Sequence, residues 1–361
     1  MIRKPLVVMD LSSTGKDGGP YISSIRIMNS DLNKKYEFKS IIYRTEMGRN
    51  ISIKRILDLR NQLLAINPDI VHFTGLQLSG LHVAPACKLA GVKNSIVTIH
   101  GSSGDALDIN AFIRIILKYL FEPMTLLLTK KFYGVSDYVV SRRMAKLFSR
   151  KCFGTIYNLA PSRTALLVKN RIRVDLGLSS EDTVAVSVGR ITKDKGYHIL
   201  AEAILQFKET ATLKFIIVGI GEYLPEMVKK LEKQISSGQV FFLGYRSDVQ
   251  QILGDCDFFI LPTLHETLSI ALLEASMEDL ALVASNTGGI PEIIENQYNG
   301  ILVKPGSVNE LVGAIEKLFS DYKLRTLYGE NAKIRVLEKF SNAETMKKLD
   351  KLYQSLLSPE T

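Results

Sequence analysis

Short, uninterrupted apolar runs recur along the chain, separated by longer stretches with helical periodicity. PLVVMD, DIVHFTG, SIVTIHG and KKFYGVS lie in the first half, and VAVSVGR, KFIIVGIG, QVFFLGY, CDFFILP and ALVASN in the second. Runs without polar alternation predict strands buried on both faces, and strand–helix alternation predicts parallel sheets covered by helices. The pattern restarts near residue 183, after a Pro-, Gly- and Ser-bearing connection over 156–182. The expected fold class is therefore α/β, with two doubly wound domains over 1–165 and 166–340. A last helix in 341–361 is expected to cross back to the first domain. Ligands of such sheets bind beyond the carboxyl ends of the strands, so two of them predict a cleft between domains.

Length and composition agree with this. The chain has 361 residues, 46% hydrophobic and 23% charged, which is globular and longer than one core usually serves. Cys87, Cys152 and Cys256 are odd in number and lack metal-ligand spacing, which reads as reduced thiols in a cytosolic setting. The apolar run of MIRKPLVVMD is too short for a signal peptide. The longest apolar zone, 109–129, holds Arg114, Lys118, Glu122 and Pro123, which argues against a membrane span. Charge changes the picture more. Residues 1–165 hold 24 Lys and Arg against 11 Asp and Glu, and the remainder 22 against 26. A basic half joined to a mildly acidic one suggests an anionic partner or surface for the first. No recognised nucleic-acid motif accompanies the charge, so nucleic acid is not an expected partner.

Candidate chemistry sits at strand-to-helix junctions. In SSTGKDGGPY, Gly18 and Gly19 let the backbone approach a ligand and aim free amides at it, and Pro20 suits the start of a helix. In VSVGRITKDKGYHIL, Arg190 stands at a strand tip and Lys195 five residues on, bracketed by Gly189 and Gly196. Two fixed cations there suit a diphosphate, Arg as a planar fork and Lys as a point charge. In LPTLHETLSIALLEA, a helix is expected from near Leu268, with Thr267 as its cap. The amides of Thr267, Leu268, Ser269 and Ile270 would then be unpaired donors at a positive dipole end. Glu266 precedes that end and Glu274 lies about two turns inside. A carboxylate accepts two hydrogen bonds, which matches a vicinal diol, so one acid suits sugar hydroxyls and the other a ribose.

ASNTGGIPEII repeats the logic with Gly288, Gly289 and Pro291. Gly219 and Gly221 lack the full dinucleotide fingerprint, so a nicotinamide cofactor is not expected. Asp255 and Asp257 imitate a metal-binding pair but lead into a buried strand, and are read as structural. His72 and His82 are read as core histidines.

Taken together, these stretches resemble the retaining GT-B glycosyltransferases of family 4, over nearly the whole chain and most clearly over 184–304. The family's E-x7-E motif matches Glu266 and Glu274, its GR…KG motif matches Arg190, Lys195 and Gly196, and its GG-x-P-E segment matches Gly288, Gly289, Pro291 and Glu292. TIHG carries His100, and GVSDYV and IYNLAP fall where the family has a serine strand end and an asparagine turn. The resemblance implies two Rossmann-like domains, the first binding acceptor and the second a nucleotide-sugar donor. It implies that Arg190 and Lys195 hold the diphosphate, Glu274 the ribose, Glu266 the donor sugar, and that His100 sits beside that sugar. Gly18–Gly19 and the amides after Glu266 would complete the anion cage, and Tyr245 would frame the base, with UDP favoured. No metal and no further cofactor is implied. Asp279 and Ala281 stand where the family has a glycine and a proline, a departure expected to affect only a turn.

The basic first half is expected to hold the acceptor. Arg44, Arg49, Lys54, Arg55 and Arg60, with Arg114, Lys118, Lys130 and Lys131, suit anionic headgroups or a lipid diphosphate. AFIRIILKYLF puts Arg114 and Lys118 on one helical face, as in an interfacial helix. The expected protein is a cytoplasmic enzyme, peripheral on the inner face of the membrane, that adds sugar to a lipid-linked saccharide of a surface polysaccharide. A soluble-acceptor transferase and a sugar-nucleotide epimerase are the alternatives.

Overall fold

Every apolar run named above forms a strand in the computed structural model, which describes residues 3–11, 18–42, 51–103, 110–160, 170–209 and 212–358. Arg44 and Arg49 lie outside the described residues. β1 (Leu6–Asp10), β2 (Glu37–Ile41), β3 (Ile70–Thr74), β4 (Ser95–Ile99), β5 (Lys131–Gly134) and β6 (Cys152–Thr155) make one parallel sheet, ordered β2-β1-β3-β4-β5-β6. β7 (Thr183–Val188), β8 (Leu213–Val218), β9 (Val240–Gly244), β10 (Phe258–Leu261), β11 (Ala281–Ser285) and β12 (Gly300–Val303) make a second, ordered β12-β11-β10-β7-β8-β9. Both are doubly wound α/β sheets of the GT-B type.

Three strands escaped the sequence pattern. β2, β6 and β12 are all edge strands. An edge strand has one neighbour and partial solvent cover, so an unbroken apolar run is not required there, although β9, the other edge of the second sheet, has one. β2 shows this directly, since only Ile41 of its five residues is buried.

The chain divides into two compact units, Met1–Leu159 with Asn342–Thr361, and Ala160–Ser341. Ile156 and Leu159 are core residues of the first unit. The last helix, Asn342–Leu357, belongs to that unit as well. It buries Leu349, Leu352, Tyr353 and Leu356 against Val7, Met9 and Ile70 of the sheet.

Register brings the loops to one level. Val188 pairs with Val218, Leu261 with Ala284, and Ser285 with Val303. With all strands parallel, the segments after β7, β8, β10 and β11 emerge side by side at one edge of the second sheet. The segments after β1, β3, β4 and β5 do the same in the first.

Candidate functional site

In the second unit, the segment after β7 carries both cations. Lys195 donates to Glu266 Oε2 at 2.8 Å, and the two side chains are only 20% and 13% exposed. Glu266 Oε1 accepts the N–H of Thr267 at 3.1 Å. The carboxylate is therefore held at both oxygens, with one of the three ammonium donors engaged and two remaining for a ligand. Arg190 is different. It is 72% exposed and stands 3.7 Å from Asp194, a residue that the sequence motif did not flag. Asp194 ties the two segments together, because its carbonyl accepts Leu264 N–H at 2.9 Å and the Thr263 hydroxyl at 3.3 Å.

Two glycines allow this closeness. Gly196 has φ +76°, and a Cβ there would lie 1.8 Å from the Pro262 carbonyl oxygen. Gly288 has φ +57°, and a Cβ there would lie 1.6 Å from the Glu266 carbonyl oxygen. That same carbonyl accepts Gly289 N–H at 3.1 Å. Three loops thus meet backbone to backbone around Glu266, and only glycine fits at the contacts.

The helix after Glu266 starts later than expected. It spans Ile270–Met277, and Ser269, not Thr267, is its cap, with the Ser269 hydroxyl accepting Leu272 N–H at 3.2 Å. Thr267 stands two residues ahead of that cap and is buried, with its amide donating to Glu266. Of the four amides assigned to an anion, Thr267's is therefore engaged, and Leu268 and Ser269 precede the helix. The amides that helix geometry leaves without an intrahelical acceptor, apart from the capped one, are Ile270 and Ala271. Glu274 lies half-buried one turn further on. Tyr245 follows β9 directly and is more than half exposed, at the same sheet edge.

The other acids follow the sequence reading. Asp255 accepts the amides of Asn170 and Ile172 at 2.8 and 2.9 Å, and Asp257 accepts Val184 N–H and Arg173 at 2.7 Å each. Both therefore cap and join elements at the opposite end of β10. Asp279 takes the left-handed conformation, φ +59°, at the place of the family's glycine, and Lys333 pairs with it at 2.6 Å. The turn is kept and the charge is answered locally.

In the first unit, the helix Gly19–Met28 follows β1, with Gly18 at its cap position. Pro20 has no N–H, so Gly19 and Tyr21 supply the free amides of that turn. Residues 12–17 of the same junction lie outside the described residues. Ser23 of this helix donates to Asn158 Oδ1 at 2.9 Å, which links it to the IYNLAP turn. His100 follows β4, and burial pushes its imidazole down to about 4, so the ring is neutral near pH 7. Sequence reading passed over the anchor of its loop. Glu122 Oε1 accepts the amide and the hydroxyl of Ser103 at 2.5 and 2.6 Å, all of them buried. An acid inside an apolar helical run was the available signal.

His72 is a core residue, as expected. Its ring meets Tyr353 at 2.8 Å and Thr98 at 2.7 Å, and burial, then His100, lowers it to about 3. His82 accepts Ser52 N–H at Nε2 (2.9 Å), so Nδ1 carries the proton given to the Leu78 carbonyl at 2.5 Å. That fixes a neutral tautomer.

Two parallel doubly wound units, the second with a cradle of basic and acidic side chains at its carboxyl edge, make a fold of the GT-B type. Residues 168–335, a little under half of the chain, match the family model described as Glycosyl transferases group 1. It is 25% identical over 320 residues to UDP-Gal:alpha-D-GlcNAc-diphosphoundecaprenol alpha-1,3-galactosyltransferase of Escherichia coli, covering 84% of this chain and 81% of that one. It is 30% identical over 174 residues to N,N'-diacetylbacillosaminyl-diphospho-undecaprenol alpha-1,3-N-acetylgalactosaminyltransferase of Campylobacter jejuni, covering 48% and 45%. Among solved structures, Anabaena HepE in complex with UDP and glucose superposes with a TM-score of 0.76 at 18% identity, over 97% of this chain and 100% of that one.

Proposed function

We propose that the protein transfers a hexose from a UDP-sugar to a lipid-linked saccharide, with retention at the anomeric carbon. The observation that carries the donor site is the Lys195–Glu266 pair at 2.8 Å, held against Gly288 and beside the start of the helix Ile270–Met277. In this reading Lys195 and Arg190 hold the diphosphate, aided by the amides of Ile270 and Ala271. Glu266 accepts hydroxyls of the donor sugar, Glu274 those of the ribose, and Tyr245 stacks on the base. In the first unit, the neutral His100 ring is kept as a hydrogen-bonding group and the Gly18–Gly19 turn as an anion-binding one.

The chemistry follows from where charge grows. The C1–O bond to the diphosphate breaks, the acceptor oxygen bonds to C1 on the same face, and its proton passes to the departing phosphate oxygen. Negative charge accumulates on that phosphate, and preorganised cations and amides stabilise it more in the transition state than in the ground state. Arg190 and Lys195 supply the positive charge, so the reading needs no metal. Support for uridine comes from HepE in complex with UDP and glucose. Support for the acceptor comes from relatives named for diphosphoundecaprenol-linked sugars.

Thermal unfolding with UDP, GDP and ADP tests this, on the wild type, Glu274→Ala and Lys195→Met. A nucleotide at 100 times its Kd adds about 2.7 kcal/mol of stability. UDP is expected to stabilise the wild type and to do so less in both variants. Stabilisation by none of the three, or equal stabilisation of all three proteins, would overturn the donor site.

A further inference from the structure

The apolar zone of residues 110–128 is helical but not packed like a core helix. Ala111–Ile116 has no buried residue at all. Phe112 is 70% exposed, and Ile115, Tyr119 and Leu120 are each more than half exposed. Leu127 continues this face at 62% on the helix Glu122–Leu128. A contiguous row of large apolar side chains in water marks an interaction surface. Among the described residues, no helix is long and apolar enough to cross a membrane.

The charges beside this face are predominantly positive. Residues 110–151 contain nine Lys and Arg and two acids, Glu122 and Asp137. Glu122 is buried on Ser103, and Asp137, at the surface, accepts the hydroxyls of Thr155 and Tyr157. Lys151 is fixed at the end of the apolar face, where it donates to the carbonyls of Leu126, Leu127 and Thr129 at 3.0, 2.7 and 2.9 Å. Lys131 donates to the Arg150 carbonyl at 3.2 Å, which adds two further cations. Lys88 and Lys130 lie close enough to Lys151 to lower its pKa further, after burial. Cations therefore cluster beside Leu127, with the Lys151 ammonium fixed there.

We propose that the face formed by Phe112, Ile115, Tyr119, Leu120 and Leu127, with the adjoining cluster of Lys130, Lys131 and Arg150, docks this unit onto a bilayer bearing anionic headgroups. The pairing of that apolar row with an adjoining excess of cations complements an anionic lipid surface. Tyr119 has the amphipathic ring favoured at headgroup level. Docking also has an inward consequence. Glu122 lies on the same helix as Leu127 and holds Ser103, three residues beyond His100, so the docked helix and the His100 loop share one anchor. The inference rests on the lipid-linked acceptor of the proposed function, and deepens it by naming the surface.

The test is flotation of the full chain with vesicles of phosphatidylcholine alone and with phosphatidylglycerol added. The variants are Phe112→Ser/Leu120→Ser and Lys130→Glu/Lys131→Glu. Binding is expected only to the anionic vesicles. Each large apolar side chain removed should weaken it about tenfold, and each cation removed about fivefold. No binding to anionic vesicles, or serine variants that bind as the wild type does, overturns the proposal. A dimer by light scattering that the serine pair abolishes, without vesicle binding, also overturns it and assigns the face to a second copy. UDP-induced stabilisation is read on the same preparations. If it persists while flotation fails, the docking face is wrong and the donor site stands.

Discussion

Replacing Gly288 by alanine isolates the geometry around Glu266, because it touches no charged group. Its Cβ would lie 1.6 Å from the Glu266 carbonyl oxygen and 2.8 Å from the carbonyl carbon. Both are backbone atoms that cannot rotate away, so the two loops must part by about 2 Å to reach ordinary contact. The left-handed conformation at φ +57° costs an alanine about 1–2 kcal/mol. Forcing a packed contact open costs roughly 1–3 kcal/mol more. Stability should fall by about 2–5 kcal/mol in urea unfolding. Moving Glu266 matters more for the reaction, since a displacement of about 1 Å can cost roughly 100-fold in rate. UDP affinity and sugar turnover should both fall steeply. Gly313→Ala is the control. It lies in the helix Val308–Ser320 with nothing within 4 Å of an added Cβ, and should stabilise by about 1 kcal/mol. A Gly288→Ala protein within about 0.5 kcal/mol of wild type, with unchanged UDP affinity, would refute the argument that glycine sets this contact.

Ser269→Ala removes the cap of the helix Ile270–Met277 and should cost about 1 kcal/mol, whereas Thr267→Ala should lose no cap; equal losses would contradict the later helix start. Acid should destabilise the first unit through His72 and His100. Their folded values, about 3 and about 4, lie below the ordinary 6.5, so the unfolded chain binds more protons between those limits and stability falls as pH drops from 6.5 toward 4. At about 1.4 kcal/mol per unit of difference, the loss is several kcal/mol; equal urea midpoints at pH 7 and pH 5 would contradict it.

Much of this protein is decided by its sequence, because burial acts residue by residue. Strands enclosed on both faces must be continuously apolar, so the central strands of both sheets were legible, and with them the two doubly wound units. Arg190, Lys195 and Glu266 were legible as candidates because charged residues at strand-to-helix junctions stand out against apolar runs, and Glu274, inside the helix, by its spacing from Glu266. The edge strands β2, β6 and β12 were not, since EFKSI, CFGT and GILV hold no apolar run as long as VFFL, by which the edge strand β9 was legible. Tertiary structure alone decided three further things. Ser269, not Thr267, caps the helix because the chain turns helical only at Ile270, which puts the Leu272 amide within reach of the Ser269 hydroxyl. Asp194 emerged as the partner of Arg190 and the tie between two loops, a role set by loops far apart in sequence. The run around Phe112 and Leu120 reads from sequence equally as a core helix or an interfacial one, because hydrophobicity records a preference for leaving water and not where a side chain goes. Only the fold shows which of its side chains are buried, Leu117 and Leu126, and which are left in water, Phe112, Ile115, Tyr119 and Leu120.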